Sequence, residues 1–486
     1  MSGIYPVGLI GYFALMLLVG FWAARRVSSE ADFLVAGRGI GLLVMIGTVC
    51  GTFWGAGIFI AGPGFAYGMG YGLLLSIVGS LTSVVLLSFF VAGRLRRFKG
   101  ITIPDLMADR FYSGAMRILT ALVVAEVGIV LLAVEIYGGA LLLSSIFGWS
   151  NFTSLLVISV VYVLYTVFGG MLAVAVTDLI QSLIMLAGTI VVIPFVLRAT
   201  GGLSAMHATL AHISPTHLDP LAGGFITPSL IVSWVIVFGI GNLTPSLLTR
   251  FFAAKNERTA IRSAAIGAAV GWLFMYVAIF LGVAAKALFP NLPKADLAFP
   301  TLITGVLPPV VGVLVLSAGM AALMSTADSV LFTVASALSH DIYAAFIRRT
   351  ASDRARLTAA RVATLLVGML ALVLASTVVD VVYWLQMFSS ALAASAFAPV
   401  LLAGLLWRRA TREGAIAAMI GGSVGAIVWQ ALGVPVQAIH PVYAGITVSL
   451  ILLVVVSLLT PPPPEKVLAK YFAPAGKPAS TPVAAD

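Results

Sequence analysis

Apolar runs of roughly 20 residues recur along the whole chain, and each is long enough for an α-helix to cross the hydrocarbon core of a bilayer. Only 9% of the 486 residues are charged, while 61% are hydrophobic. Soluble domains carry about 25% charged residues, so in water this chain would have too few polar side chains to cover its surface. The chain is therefore predicted to be an all-α integral membrane protein.

Thirteen transmembrane helices are predicted from these runs. They cover residues 4–24, 39–61, 70–92, 118–146, 152–168, 172–197, 229–249, 263–285, 303–339, 359–379, 383–406, 414–432 and 442–460. The run over 303–339 is too long for one straight crossing, so part of it is expected to lie outside the hydrocarbon. The run over 4–24 lacks a basic segment before it and is long enough to span, which argues against a cleaved signal peptide.

Basic residues predict the orientation, because cytoplasmic loops of membrane proteins are enriched in lysine and arginine. With the N-terminus outside and the C-terminus in the cytoplasm, the cytoplasmic segments hold 24 of the 27 basic residues, all but Arg198, Lys286 and Lys294. The net charge of +10 is then explained by a basic face against anionic lipid, and not by a nucleic-acid partner.

Two predicted spans carry helix-breaking residues near their middle. Gly51, Gly55 and Gly57 interrupt the second span, and Gly239, Gly241 and Pro245 interrupt the seventh. The breaks lie five spans apart, which indicates two repeats of five spans each. A repeat with an odd number of spans places its second copy upside down in the membrane, so two inverted halves around a binding site are predicted. The alternative for any single glycine is that it allows close helix packing.

The ninth run carries a polar face. Ala322, Ser325, Thr326 and Ser329 follow one another at i, i+3, i+4 and i+7, so they share one side of a helix. Neighbouring hydroxyls opposite the carbonyls of an unwound helix form an oxygen cage that suits a small hard cation. The alternative is that each hydroxyl bonds back to its own helix, which is the usual arrangement for one such residue but a weaker explanation for a cluster.

Four carboxylates fall inside predicted spans: Glu126, Glu135, Asp178 and Asp328. A carboxylate in the membrane is costly and is a functional candidate by default. No basic residue is expected within a span to neutralise them, so each must be protonated, face water or hold a cation. Asp178 is predicted to lie at the same depth in the membrane as the polar face of the ninth span, so the two can meet. Glu126 and Glu135 lie on different sides of one helix. For Glu126, the alternative to a functional role is a structural one.

Six stretches together resemble the sodium:solute symporter family, which includes proline, pantothenate, sialic-acid and sodium/glucose carriers. They run in family order along nearly the whole chain and are FLVAGRGIG (33–41), GTFWGAGIFIAGPGFAYGMGYG (51–72), YTVFGGMLAVAVTDLIQSLIM (165–185), LLTRFFAAKNER (247–258), AALMSTADSVLFTVASALSHDIY (321–343) and LLWRRATREGA (405–415). The resemblance implies a LeuT-like core of five-plus-five inverted repeats, with one extra helix before it and two after.

The expected domain organisation follows from the spans and the resemblance. A transmembrane transporter domain is expected over residues 1–460. It contains the extra helix at 4–24, repeat one at 39–197, repeat two at 229–432 and the last helix at 442–460. Residues 461–486, which open with four prolines, are expected to form a disordered, Pro-rich cytoplasmic tail.

The resemblance also implies a main sodium site between the second and ninth spans. Its ligands, carried over by position, are the carbonyls of Gly51, Trp54 and Ala322 and the hydroxyls of Ser325 and Thr326.

Some members of the family have a second cation site around an aspartate that matches Asp178. Here that site would add Ser325, Asp328 and Ser329. Asp328 stands where some relatives carry a serine, so the second site is expected to hold either sodium or a proton.

Solute contacts in the family come from the broken helices and from two further spans. The matching positions are Phe53, Gly57, Glu135, Val237, Ile240, Gly241 and Gln386. Val237 and Ile240 replace polar residues of the sugar carriers, and Phe53 replaces an aspartate of the proline carriers, which counts against both substrates. The resemblance is greatest to the pantothenate branch, although Glu135 would repel a carboxylate solute unless it is protonated. Pantothenate, a monocarboxylate or an amino acid is therefore the expected solute.

The predicted function is sodium-coupled import of a small organic solute across a bacterial cytoplasmic membrane, with sodium as the coupling ion and no catalysis. One alternative is a proton-coupled symporter that uses Asp178, Asp328 or Glu135, and another is a non-transporting membrane sensor or scaffold. An enzyme is the least favoured class, because no metal motif, nucleophile–base pair or phosphate loop is found. The single cysteine, Cys50, excludes a disulfide within the chain.

Overall fold

A computed structural model describes residues 3–25, 34–53, 55, 57–98, 100–377, 382–436 and 438–472 of the chain. Throughout these residues the regular structure is helical, and the only β-type pairing is an isolated bridge between Ile40 and Ala254. Eleven of the helices are long and apolar enough to cross a membrane. The all-helical prediction is therefore confirmed for the part of the chain that the structure describes.

The helices follow the predicted spans closely. They are Ile4–Ala24, Leu42–Phe53, Gly57–Ala61 with Gly62–Met69, Gly70–Ser76, Ile77–Val85 with Leu86–Val91 and Ala92–Arg97, Ile103–Arg110, Gly114–Phe147, Asn151–Thr200, Leu203–Ile213, Pro228–Val235 with Ile236–Ile240, Pro245–Ala253, Glu257–Leu288, Ala298–Val306, Pro309–Ser336 with Ala337–Ile347, Asp353–Thr377, Val382–Leu392 with Ala393–Phe397 and Ala398–Leu406, Arg412–Ala431, Pro441–Leu459 and Glu465–Phe472.

Two of these helices are broken where glycine and proline predicted it. The first broken helix consists of Leu42–Phe53 and a continuation that begins with a π-helical turn at Gly57. The second broken helix has a π-helical turn over Ile236–Ile240 and restarts at Pro245. Proline fits the first turn of a helix because its missing N–H would have no acceptor there. Backbone groups freed at such breaks are available to ligands.

The fifth and sixth predicted spans are joined without a loop. Asn151–Thr200 is one helical segment, kinked at Gly170, whose φ of 58° and ψ of −167° leave the helical region. Glycine tolerates this conformation because it has no Cβ. The run over 303–339 is instead divided, since Ala298–Val306 ends before Pro308 and a new helix starts at Pro309. Only residues 303–306 of that run belong to the separate short helix, and residues 309–339 lie in the continuous helical segment Pro309–Ile347.

Burial separates central helices from peripheral ones. In the most apolar stretch of the segment Pro309–Ile347, 78% of the residues are buried inside the protein, and for Val382–Leu406 the share is 83%. The share is only 28% for the N-terminal helix and 33% for Pro441–Leu459. Exposed apolar side chains on the peripheral helices suit contact with lipid. Pro309–Ser336, which we call the serine–threonine helix, packs against both Leu42–Phe53 and the kinked segment Asn151–Thr200.

The C-terminal segment differs from the expected disordered tail. Glu465–Phe472 forms a short helix. Lys470 Nζ donates to both carboxylate oxygens of Asp109 at 2.7 Å, and the Tyr471 hydroxyl donates to the same carboxylate at 2.5 Å. Arg110, beside Asp109, stacks on Tyr471 and Phe472 and donates to the carbonyl of Gly404. Burial lowers the pKa of Arg110 to about 10, so its guanidinium stays protonated at neutral pH.

Candidate functional site

Four oxygen atoms meet where the first broken helix crosses the serine–threonine helix. The Ser325 hydroxyl donates to the carbonyls of Gly51 at 2.9 Å and Ala322 at 3.0 Å, and the Thr326 hydroxyl donates to the Gly51 carbonyl at 3.0 Å. Gly51 lies in the last turn of Leu42–Phe53, where carbonyls lose their intrahelical donors. All four residues are buried. We call this group the oxygen cage.

The close approach of the two helices depends on glycine. A Cβ added at Gly51 would lie 3.0 Å from Ser325 Cβ and 3.2 Å from Ser325 Oγ. A side chain at this position would therefore require Ser325 to shift by a few tenths of an ångström.

A second polar cluster lies beside the cage on the same helices. Thr48 Oγ1 donates to Asp178 Oδ2 at 2.5 Å, and the Thr52 and Ser329 hydroxyls are 3.0 Å apart. Ser329 also donates to Asp328 Oδ1 at 3.3 Å. Asp178 and Asp328 are both 0% exposed. Within the described part of the chain, Asp178 Oδ1 has no hydrogen-bond partner, which leaves an acceptor directed into the protein interior.

Arg250 corrects the expectation that no basic residue would lie among the spans. It lies within the candidate span Pro228–Ala253 and is 0% exposed. Its Nε donates to Thr52 Oγ1 at 3.3 Å, and its guanidinium interacts electrostatically with Asp178. The sequence prediction failed because Arg250 follows the apolar run directly and was assigned to the cytoplasmic surface, whereas the helix Pro245–Ala253 carries it inward.

A cavity opens next to the oxygen cage. Both broken helices contribute to its wall, together with Gly114–Phe147 and Val382–Leu392. Its lining residues are Thr52, Phe53, Gly55, Gly57, Ile58, Leu73, Leu131, Glu135, Phe238, Asn242, Thr244, Leu247, Met275, Thr326, Tyr383, Gln386 and Ser390. Thr326 lines both the cage and the cavity, so the two sites adjoin.

The predicted solute contacts divide into two groups in the structure. Phe53, Gly57, Glu135 and Gln386 line the cavity. Val237, Ile240 and Gly241 lie on the second broken helix but are not among the lining residues, and the same helix presents Phe238 and Asn242 there. Val237 is 0% exposed and packs in the apolar core.

Trp54, an expected sodium ligand, is outside the described residues. Glu126 lies apart from the cavity and accepts a hydrogen bond from the Ser423 hydroxyl at 2.8 Å, in agreement with a structural role.

Sequence reasoning missed several residues of the polar cluster. Thr48 and Thr52 are spaced i, i+4 in an otherwise apolar helix, so their common face was a readable signal. Tyr12 interacts electrostatically with both Asp178 and Asp328, and it accepts a hydrogen bond from Gln181 Nε2 at 3.2 Å. Its helix lies outside the predicted repeats, and no local pattern could have connected it to the cluster.

The donor atoms indicate which ions these sites suit. The oxygen cage offers carbonyl and hydroxyl oxygens, which are the ligands of hard cations at helix breaks. Among the described residues there is no group of three or more histidine, cysteine, aspartate or glutamate side chains that could hold a transition metal. The arrangement is therefore suited to binding alkali ions beside a solute cavity.

Comparison with known proteins agrees with this geometry. Residues 33–422 match the model of the sodium:solute symporter family. The chain is 31% identical over 455 residues to the sodium/pantothenate symporter of Escherichia coli strain K12, covering 91% of this chain and 94% of that protein. It is 29% identical over 450 residues to the high-affinity proline transporter PutP of Bacillus subtilis strain 168, covering 90% and 94% of the two chains.

Solved structures share the fold. A sodium-coupled sialic acid symporter in a substrate-bound, outward-open state superposes with a TM-score of 0.80 at 21% identity, over 95% of this chain and 98% of that one. MhsT in complex with L-phenylalanine gives a TM-score of 0.54 at 17% identity, over 85% and 98% of the two chains. The family resemblance inferred from the motifs is thereby confirmed. The chain is a sodium-coupled solute symporter and belongs to the sodium:solute symporter family.

Proposed function

We propose that the oxygen cage is the main sodium site of this symporter. The observation that carries the assignment is the convergence of the Ser325 and Thr326 hydroxyls on the Gly51 carbonyl. Each hydroxyl now donates to a carbonyl, and rotation of the two hydroxyl hydrogens would turn the same oxygens toward a shared cation. Ala322 supplies another carbonyl, and Trp54 remains a predicted ligand.

The second polar cluster is proposed as a second cation site, formed by Asp178, Ser325, Asp328 and Ser329. With both carboxylates ionised, the Arg250 guanidinium would offset one of the two negative charges in this buried region. One monovalent cation would balance the other charge, and buried charges that remain unbalanced are costly. Sodium and a proton both satisfy this requirement.

Transport is proposed to proceed by alternating access. Sodium from outside would bind the cage and favour an outward-open form, the solute would enter the adjoining cavity, and rocking of the helices would open both sites to the cytoplasm. The driving force is the ion gradient, with about 2.3 kcal/mol per charge for each 100 mV of membrane potential. Thirteen spans, an outside N-terminus, the two inverted repeats and a bacterial cytoplasmic membrane location remain part of this proposal.

The solute is proposed to be a small organic molecule bound between the two broken helices. Pantothenate and proline are the solutes in the names of the relatives described above. Val237, Ile240 and Gly241 remain predicted contacts, since alternating access changes which residues of the second broken helix face the solute.

Sodium binding can be tested before the solute is known. A ligand that binds only the folded protein raises its stability, by about 2.7 kcal/mol at 100 times the dissociation constant. We expect the purified protein to unfold at a higher temperature in sodium chloride than in potassium chloride at equal ionic strength. The double variant Ser325→Ala, Thr326→Ala should lose this difference, and proteoliposomes containing it should lose sodium-driven uptake.

Ser336→Ala serves as the matched control, because the Ser336 hydroxyl lies on the same helix but bonds only the Phe332 carbonyl. It should retain the sodium effect. If the double variant kept sodium-dependent stability and uptake, the cage would not be the sodium site. If a pH gradient alone drove uptake at full rate without sodium, the coupling ion would be a proton.

A further inference from the structure

Four aromatic rings pack together at one end of the solute cavity. Tyr383 lines the cavity, and the centre of its ring lies 4.2 Å from the centre of the Phe65 ring. Phe65 also makes edge-on contacts with Trp234 and Trp384, at 5.9 and 6.0 Å between ring centres. Aromatic pairs at such separations attract one another beyond the effect of burial alone. We call these four rings the aromatic plug.

Two helices place the aromatic plug on the predicted outer side of the cavity. On the first broken helix, Gly57 lines the cavity, and Phe65 follows it in the direction of the predicted outside. Val382–Leu392 is predicted to run the other way, from the outside inward, and on it Tyr383 precedes the lining residue Gln386. A solute that arrives from outside would therefore have to pass the aromatic plug.

A buried carboxyl group bonds one of these helices beside the plug. Asp296 lies in the short 3-10 helix Ala295–Leu297, on the predicted outer side, and is 4% exposed. Its Oδ2 accepts a hydrogen bond from the backbone N–H of Val382 at 3.1 Å. Backbone N–H groups in the first turn of a helix have no acceptor within the helix, so a side-chain oxygen that accepts there fixes the position of that turn.

The same carboxyl group packs on the other helix. A Cβ added at Gly64 would lie 2.6 Å from Asp296 Oδ1 and 3.2 Å from Asp296 Cα, so the first broken helix and Asp296 are in close contact. Gly64 directly precedes Phe65, and Val382 directly precedes Tyr383. Asp296 thus touches each helix at the residue next to one of the two stacked rings.

Burial makes this contact favour one arrangement of the two helices. Separation of the helices would leave Asp296 with only one of them, and a buried N–H that loses its acceptor pays its full desolvation cost. Lys294, on the same outer segment, also interacts electrostatically with Asp296. Because Asp296 is not among the lining residues of the cavity, it acts on the cavity through the helices that it joins.

We propose that Asp296 is a positioning residue that latches the outer side of the solute cavity, holding Val382–Leu392 against the first broken helix so that the aromatic plug is closed. This role depends on the alternating access proposed above. It goes beyond that proposal by naming the contact that must break before the cavity opens to the outside.

Reaction of a single thiol in the cavity tests the latch without knowledge of the solute. The parent protein for this test carries Cys50→Ser, which removes the one native cysteine, and Ser390→Cys, which places a thiol on the cavity wall. The rate of labelling by a membrane-impermeant methanethiosulfonate is measured on intact cells in potassium chloride without sodium. We expect Asp296→Ala to raise this rate about fivefold, the change in open population that corresponds to the loss of one capping hydrogen bond.

Asp296→Asn is the conservative variant, because its amide oxygen can still accept from the Val382 N–H. It should label at the rate of the parent protein. Gly64→Ala approaches the latch from the other helix, since the added methyl group would collide with Asp296 Oδ1, and it should raise the rate even if Asp296→Ala does not reach the membrane.

Asp219→Ala is the matched control on the predicted outer side. Asp219 also accepts hydrogen bonds from backbone N–H groups, those of Leu221 and Gly223, but these belong to its own loop. The control should label at the parent rate. An unchanged rate in Asp296→Ala or in Gly64→Ala would overturn the latch. An equal increase in Asp296→Asn and Asp296→Ala would also overturn it, because the bond to Val382 would not be what holds the helices.

Sodium separates failure of the latch from failure of the proposed symport. In the parent protein, sodium chloride should raise the labelling rate, because sodium is proposed to favour the outward-open form. Ser325→Ala with Thr326→Ala should abolish this increase but keep the effect of Asp296→Ala. If sodium had no effect while Asp296→Ala still raised the rate, the proposed sodium site would fail and the latch would stand. If sodium raised the rate and Asp296→Ala did not, the latch alone would be wrong.

Discussion

Arg250 and the carboxylates of Asp178 and Asp328 show how single buried charges determine what the polar cluster can bind. All three side chains are 0% exposed. Removing one member of a buried charged group costs about 3–5 kcal/mol, because its partners remain buried without compensation. In the proposed second cation site, the guanidinium would offset one of the two carboxylates and leave room for one further positive charge.

Asp328→Asn tests this charge balance. The substitution removes one negative charge, so Asp178 and Arg250 would then balance each other and no second cation should bind. We expect the sodium-to-solute ratio, measured by parallel radiotracer fluxes in proteoliposomes, to fall by about one ion if the second cation is sodium. If the cation is a proton, the ratio should stay constant while the pH dependence of uptake is lost.

Glu126→Gln is the matched control, because it removes the negative charge of a carboxylate outside the cluster and keeps the length of the side chain. That variant should change neither the ratio nor the pH dependence. If Asp328→Asn kept both the original sodium-to-solute ratio and the original pH dependence of uptake, Asp328 would not take part in ion coupling.

At the scale of the element, the oxygen cage and the adjoining cavity both lie at the breaks in two helices. An unbroken helix would use the Gly51 carbonyl within its own ladder, and the oxygen cage would lack its central acceptor. At Gly55 the first broken helix lies so close to Glu135 and Thr326 that an added Cβ would collide with both side chains. A side chain there would occupy space between the proposed ion site and the proposed solute site.

Gly55→Ala should therefore abolish sodium-dependent uptake while the protein still folds. The added methyl group would collide with Glu135 Oε1 and Thr326 Oγ1, so these side chains must move away from the site. Uptake in proteoliposomes and elution as a single species in detergent are the two measurements. Gly68→Ala is the matched control in the continuation of the same helix, since its Cβ would meet nothing within 4 Å, and it should transport normally. Normal uptake by Gly55→Ala would show that the junction is not tightly packed.

At the scale of the whole molecule, the C-terminal helix connects distant parts of the chain. Lys470 and Tyr471 bind Asp109, which lies 361 residues before Lys470. The side chains of Lys470 and Asp109 are only 22% and 18% exposed, so this ion pair is better shielded than an ordinary surface pair. It therefore contributes to stability without contacting the cavity.

Lys470→Ala should lower the free energy of unfolding by about 1 kcal/mol, the upper range for ion pairs that retain some solvent contact. The midpoint of thermal unfolding in detergent measures this change. Lys466→Ala, on the exposed side of the same helix, should leave the midpoint unchanged. Solute uptake should be equal in both variants, and a loss of uptake in Lys470→Ala alone would instead indicate that the tail controls transport.

Local patterns determined much of this protein. Apolar runs predicted the helices, glycine and proline predicted both broken helices, and the spacing of Ser325 and Thr326 predicted a shared polar face. These features follow from helical periodicity and backbone chemistry, which act over a few residues. Only the tertiary structure brought Arg250, Tyr12 and Thr48 to the carboxylates, because burial and electrostatic contact between distant helices leave no local pattern. The same reason explains why the sequence indicated an ion site, whereas only the three-dimensional arrangement showed that Glu135 and Thr326 line one cavity.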